Sequence, residues 1–245
     1  MSDEPNISAV AALIADPARA LMLTALLDGR ALPAGELAYA SGVTAQTASS
    51  HLAKLLAGGL LSVEQEGRHR YFRLAGGHIA QALEQLAAIR PTGPVRRKAL
   101  SREARALRFA RCCYDHLAGQ LGVAVTRSLI EHGFIVPAAA KQFEVTAPGT
   151  QWFASIGLDV TALKPTTRGL ARQCLDWTER THHIAGPLGV RLMSTLCERQ
   201  WLRRMKGSRA VEVTPKGYQE LKRQLGVDGQ MVCCAHSPAT ATEAA

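Results

Sequence analysis

The sequence predicts a mainly α protein with small β-hairpins, an α+β chain. It should have a compact N-terminal domain and a mostly helical C-terminal domain built from a tandem repeat. Three observations carry that expectation. Apolar residues recur at three- and four-residue spacings through most of the chain; two alternating runs around residue 67 carry the strand period instead; and short motifs in residues 113–159 return in residues 174–228. The 245 residues, 47% of them hydrophobic, can bury one or two cores, and no apolar run is long enough to span a bilayer. The acidic, polar start lacks the pattern of a signal peptide, so a reducing cytoplasm is expected and the six cysteines read as thiols.

In the N-terminal part, Asp16 and Pro17 mark a helix start, with Ala20, Leu23, Leu26 and Leu27 on one face and Asp28-Gly29 at the end. A short helix around Leu37 and Ala38 then meets the turn Ser41-Gly42-Val43. Thr44 caps a second helix that runs to about Ala57 and stops at Gly58-Gly59. Two short helices joined by a glycine-containing turn form a helix-turn-helix, whose second helix can lie in a DNA major groove. Ala48, Leu52, Leu55 and Leu56 must pack inward, which leaves Gln46, Thr47, Ser49, Ser50, His51 and Lys54 toward the outside or its borders. Gln pairs bidentately with adenine, hydroxyls contact bases or phosphates, and Lys54 can neutralise a phosphate. Residues 60–74 then read as a hairpin turning at Glu66-Gly67-Arg68, a wing whose Arg68 and Arg70 could reach phosphates or the minor groove. Ile79, Leu83, Leu86 and Ile89 return to helical spacing.

The order Asp16-Pro17-Ala18-Arg19, Glu36-Leu37-Ala38, Ser41-Gly42-Val43-Thr44, Ser49-Ser50-His51-Leu52, Gly58-Gly59-Leu60-Leu61 and Gly67-Arg68-His69-Arg70-Tyr71 resembles the ArsR-type winged helix-turn-helix repressors over about residues 6–90. The resemblance implies a homodimer paired through its first and last helices that reads an inverted-repeat operator in double-stranded DNA and is released by an inducer. It also implies that Gln46, Thr47, Ser49, Ser50 and His51 are recognition-helix contacts and Arg68 and Arg70 wing contacts. Metal-sensing members carry Cys-x-Cys directly after Glu-Leu, where this chain has Ala38-Tyr39-Ala40, so that thiolate site is absent. Any sensing by thiols falls to the added C-terminal region.

Charge concentrates between the two parts. Residues 91–111 hold seven basic side chains against one acidic, whereas residues 1–90 hold seven against eight. After the break at Pro91 and Pro94, this linker reads as a basic helix over residues 96–111, with Leu100, Ala104, Leu107 and Tyr114 as its apolar stripe. Its arginines, Arg111 included, are either solvated or phosphate-facing.

The expected organisation is a DNA-binding domain over 1–90, the basic linker over 91–111, a duplicated effector domain over 112–230 and a flexible tail over 231–245. Cys113-Tyr114-Asp115-His116 is echoed by Cys174-Leu175-Asp176-Trp177 with His183 beyond, and Glu144-Val145-Thr146 by Glu212-Val213-Thr214. The expected unit is helix, helix, strand, helix, twice. Cys113, Asp115, His116, Cys174, Asp176 and His183 are therefore the candidate effector site, and a pseudo-twofold arrangement would bring them together as soft and hard donors for a metal. Against this, Cys113 and Asp115 would not share a face of a helix, and buried Cys is often a small hydrophobe.

The leading functional reading is a dimeric transcriptional regulator, of repressor type, whose DNA affinity responds to an unidentified small-molecule or metal effector in the C-terminal domain. The alternative is a thiol-dependent metal or redox sensor using Cys113 and Cys174. A remote third reading is a Cys–His enzyme fused to a DNA-binding domain; no phosphate loop or nucleophile elbow supports it. The cofactor and any metal are left undefined, no membrane partner is expected, and Cys233-Cys234 in the tail forms a second thiol cluster without structural-zinc spacing.

Overall fold

In the computed structural model, residues 7–66, 69–89 and 101–228 are described. Arg68, the linker residues 90–100 and the Cys233-Cys234 tail lie outside them. By packing, the chain divides into one unit of residues 1–91 with the turn 112–115, and a second of residues 92–111 with 116–245. No single helix among the described residues is long and apolar enough to cross a membrane.

The first unit opens with α1 (Ile7–Ile14) and α2 (Pro17–Ala25). The Asp16 side chain accepts from the Arg19 amide at 2.9 Å, and Pro17 occupies the first helical turn, where its missing N–H costs nothing. Arg19 folds back to donate to the Leu13 and Ala12 carbonyls at 2.6 and 2.8 Å, satisfying the C-terminal end of α1. β1 (Leu32–Pro33) leads into α3 (Ala34–Ser41), which ends at Gly42 with φ 68°; α4 (Ala45–Ala57) follows, capped by the Thr44 hydroxyl on the Thr47 amide. β2 (Leu61–Glu66) and β3 (His69–Leu74) form the wing hairpin in a sheet of order β1-β3-β2, and α5 (Gly77–Ala88) closes the unit. Met22, Leu23, Leu26, Leu37, Leu52, Leu55, Phe72 and Leu74 form one buried cluster that clamps α2, α3, α4 and the wing together. Tyr114 packs against the same cluster. Its amide donates to the Leu27 carbonyl, and its ring lies over Gly77, where an added Cβ would come within 3.3 Å of it.

The second unit begins with α6 (Arg102–Phe109), capped by Ser101, and β4 (Arg111–Cys113). The expected basic helix to residue 111 is thus too long: the chain is extended from Ala110 onward, and Tyr114 sits in a turn at φ 58° rather than on a helical stripe. Then follow β5 (His116–Ala118), α7 (Gly119–Glu131), β6 (Ile135–Ala138), β7 (Gln142–Val145) and α8 (Ala147–Ser155). β8 (Ala171–Leu175), β9 (His182–Ala185), α9 (Gly186–Glu198), β10 (Leu202–Arg204), β11 (Val211–Val213) and α10 (Pro215–Leu225) complete it. The element order strand, strand, helix, strand, strand, helix runs twice. In each run a hairpin stands where the first helix was expected, and a second hairpin where a single strand was expected. The reason is local. Gly119 and Gly186, at φ 81° and 77°, start α7 and α9 in a conformation that L side chains rarely adopt, and the residues before them stay extended and pair with each other. β6, β7, β8 and β9 join in that order as one antiparallel sheet.

Matched details recur in the two runs. Thr146 and Thr214 cap α8 and α10 by accepting from the Gly149 and Gly217 amides at 3.1 and 2.9 Å. A Cβ on Gly149 would lie 1.9 Å from the Phe134 carbonyl oxygen, and one on Gly217 the same 1.9 Å from that of Trp201. Neither neighbour is a side chain that can swing away. Gly217→Ala should therefore destabilise the protein by about 2 kcal/mol or more, whereas Gly133→Ala, with φ 67° but open space around it, should cost only about 1 kcal/mol. Urea denaturation of the two variants checks the order, and equal midpoints would contradict the close approach.

Candidate nucleic-acid interface and Cys/His cluster

The face of α4 is split as its leucines require. Ala48, Leu52 and Leu55 are buried, while Gln46, Thr47, Ser49, Ser50 and Lys54 are exposed. The helix therefore presents amide, hydroxyl and ammonium groups outward on a support locked by aliphatic packing, the arrangement that reads base edges. Thr47 is partly engaged locally, its hydroxyl 2.9 Å from that of Thr44. His51 differs from the others. Its side chain is only 15% exposed, with Nδ1 3.9 Å from Asp16 and 3.4 Å from Arg19, so it braces α4 against the start of α2. On the wing, Arg70 is exposed, with its guanidinium 5.4 Å from the Phe72 ring centroid.

The second site grows from two hairpins. Cys113 ends β4 and His116 begins β5, with only Tyr114 and Asp115 between them. Cys174 and His183 are register partners across β8 and β9. Each hairpin thus offers one thiol and one imidazole. His116, Cys174 and His183 belong to the second unit, Cys113 is the fourth donor, and the four donor atoms all lie within 4.8 Å of one another. The two Nε2 atoms are 3.1 Å apart, and Cys113, His116 and His183 are buried while Cys174 is half-buried.

Asp176 sits behind this cluster rather than in it. Its Oδ2 accepts from Arg111 at 2.8 Å and from the Gly119 amide at 2.7 Å, and lies 3.4 Å from His183 Nδ1. Its Oδ1 accepts from the Thr178 amide and hydroxyl and from the Glu179 amide at 2.9, 2.7 and 3.1 Å. Burial alone would raise this carboxyl, but His183, the Arg111 charge and the Thr178 hydroxyl together hold it well below the usual carboxylate range. For His183 burial works downward, and the facing Asp176 and Cys174 outweigh it and raise the imidazole. Arg111 also lies 4.8 Å from the Trp177 ring centroid, fully enclosed rather than facing solvent or phosphate. It was among the charges read as a helix face. Sequence did hold a signal for it, since Arg111 and Arg172 each stand two residues before the repeated cysteine.

Of the six candidate effector residues, the structure brings together Cys113, His116, Cys174 and His183, with Asp176 as an outer partner of His183. Asp115 is not one of the four; it lies in the two-residue turn. The two aspartates match by motif but not by place, because Asp176 opens a longer loop that its carboxylate ties down while Asp115 has no such loop to cap. Two thiols and two imidazoles at this separation can hold a metal ion; the thiols can also meet each other.

A winged helix-turn-helix with an outward polar recognition helix, followed by a further unit, defines a DNA-binding transcription regulator with an appended domain. A family model described as a helix-turn-helix domain matches residues 14–64. The HTH-type transcriptional regulator YdfF of Bacillus subtilis is 45% identical over 223 residues, covering 91% of this chain and 98% of that protein. The HTH-type transcriptional regulator CmtR of Mycobacterium tuberculosis is 38% identical over 86 residues, 35% of this chain and 72% of that protein. The chain belongs to the ArsR-type winged helix-turn-helix transcriptional regulators, in a long form. Among solved structures, the cadmium metal-sensor CMTR from Mycobacterium tuberculosis matches with a TM-score of 0.31 and 31% identity, over 39% of this chain and 99% of that one. The homodimeric winged domain of Mb0332 from Mycobacterium bovis matches with a TM-score of 0.31 and 26% identity, over 35% of this chain and 86% of that one.

Arg111→Ala would leave the Asp176 carboxylate buried without its cation. With both side chains at 0% exposure, the expected loss of stability is about 3–5 kcal/mol, read from the midpoint of denaturant unfolding. A loss below about 1 kcal/mol would mean that the pair is solvated in solution.

Proposed function

We propose that this protein is a cytoplasmic, homodimeric, sequence-specific repressor that binds an inverted-repeat operator through α4 and the wing, and that an effector at the Cys113/His116/Cys174/His183 cluster changes its operator affinity. The observation that carries the DNA reading is the outward set Gln46, Ser49, Ser50 and Lys54 on a helix whose opposite side is fully buried. Dimerisation through the first and last helices of the winged unit is supported by their exposed apolar side chains. Ile7 is 74% and Ile89 71% exposed, and Val10 and Leu86 are also open to solvent. The thiol-dependent reading of the effector is favoured over an organic ligand because four donors of soft and borderline character converge.

The effector acts by binding the DNA-incompetent arrangement more tightly, and a differential of about 1–3 kcal/mol gives a 5–150-fold change in affinity.

Two titrations by gel shift on the DNA upstream of the gene test the two halves of the proposal. Replacing Gln46, Ser49 and Ser50 together with Ala should remove the preference for operator over unrelated DNA, each lost base contact costing about 1–3 kcal/mol, while the far-UV spectrum stays unchanged. Retained discrimination would refute α4 as the reading element. Cys174→Ser should abolish any change in operator affinity on adding or chelating divalent metal. An identical response in wild type and variant would remove the cluster from regulation and leave the DNA reading standing.

A further inference from the structure

The donor set, its spacing and the charge around it identify the occupant more narrowly than "effector". We propose that Cys113, His116, Cys174 and His183 form a closed, four-coordinate site for one Zn2+ ion per chain. The inference deepens the reading of this cluster as the effector site, but metal binding itself does not depend on the DNA reading.

Three observations converge on it. The first is geometric. Two imidazole nitrogens bound to zinc at about 2.0–2.1 Å in a tetrahedron stand about 3.3 Å apart. His116 Nε2 and His183 Nε2 are 3.1 Å apart, and all four donors lie within 4.8 Å, so drawing the thiols in to the roughly 3.8 Å edge of a zinc tetrahedron takes a shift of about 1 Å or less. A larger thiophilic cation would need the imidazoles spread wider, and a hard cation such as Mg2+ would need oxygen donors that the cluster lacks.

The second is charge. Two thiolates and two neutral imidazoles carry −2, so a divalent cation makes the cluster neutral. The adjoining Arg111–Asp176 pair, 0% exposed on both sides, is already neutral. A buried site closes without residual charge only for a dication; a monovalent soft ion would leave one negative charge in a place that cannot solvate it.

The third is orientation. Asp176 faces His183 Nδ1 at 3.4 Å and is itself fixed by Arg111, the Gly119 amide and the Thr178–Glu179 loop, so the ring keeps Nε2 aimed at the centre of the cluster. A carboxylate behind a ligating imidazole is the usual outer support of a zinc-bound histidine. Beside the other ring, an added Cβ at Gly189 would meet the Ile184 carbonyl oxygen at 2.6 Å and stand in ordinary contact, 3.4 Å, with His116 Cβ. With four protein donors no coordination position remains for water or substrate. The site is therefore suited to holding shape and sensing the metal, not to hydrolysis.

The test uses the full-length chain, reduced and stripped of metal. Titration with Zn2+ against a chromophoric chelator should show one equivalent per chain. Co2+ in its place should give the visible bands of a tetrahedral ion together with a thiolate charge-transfer band. Asp176→Asn should keep that stoichiometry and weaken binding 10–100-fold. Cys174→Ser should lose the charge-transfer intensity of one thiolate, and Cys197→Ala should lose none. Because a variant can simply misfold, the wild-type chain gives a second readout: saturating Zn2+ should protect Cys113 and Cys174 from alkylation, seen by mass spectrometry, and leave Cys197 as reactive as before. Substoichiometric binding, an octahedral cobalt spectrum or unprotected Cys113 and Cys174 would overturn the site. One equivalent of protected zinc with no change in operator affinity would keep the site and overturn its role as effector.

Discussion

The C-terminal unit is organised around the contact between Arg111 and Asp176. Both side chains are fully enclosed, and a buried ion pair survives only where other hydrogen bonds replace the water each partner has lost. Asp176 meets that condition. Between them its two oxygens accept from the Arg111 guanidinium, the first amide of α7, and the amides and hydroxyl of the loop that follows β8. One carboxylate thus ties β4, the start of α7 and the β8–β9 hairpin to a single point. The imidazole of His183 is the remaining group it faces, so the orientation of a cluster ligand is set by the same atom that fixes the fold.

An enclosed charge is costly, and sequences keep one where an apolar residue of similar volume would not do the same task. At Asp176 that task is geometric. An apolar residue could fill the space, but it could not cap the loop, receive the α7 amide and aim an imidazole together. The neighbouring cysteines fit the same logic. Cys112 and Cys197 are buried or half-buried thiols outside the cluster, whereas Cys113 and Cys174 each stand in a hairpin with a histidine as neighbour. The distinction between a thiol that packs and one that ligates lies in what the opposite strand carries.

The winged unit was legible in the sequence because its signals are local. Asp16-Pro17 starts a helix by capping its own amides, Thr44 does the same for α4, and Gly42 alone supplies the left-handed turn between α3 and α4. The C-terminal strands were read as helix because segments of three to five residues, such as Arg111–Cys113, are too short to display a period of two against one of 3.6. What defines them is the partner strand, and in β8–β9 that partner lies beyond a loop whose length differs from the tight turn of β4–β5. Repetition in sequence identified the four donors as a set without revealing that they lie on strands. It also paired Asp115 with Asp176, because a motif match records residue type and not the loop that each residue closes.

Charge patterning misled for a related reason. A run of arginines announces a basic surface, yet a sequence position does not say which guanidinium has found an anion. Arg102 and Arg105 lie on α6, and Arg108 reaches Glu179 at 3.3 Å from the same helix, while Arg111, two residues past its end, turns inward. The deciding feature is the end of α6. Ala110 leaves helical geometry at φ −149°, and a residue beyond that point projects by the alternation of a strand rather than by the rotation of a helix. Had α6 continued for one more turn, Arg111 would have stood with its neighbours on an outer face, and Asp176 would have been an enclosed carboxylate without a counterion. The length of one short helix thus separates a basic surface from a buried support for the Cys/His cluster.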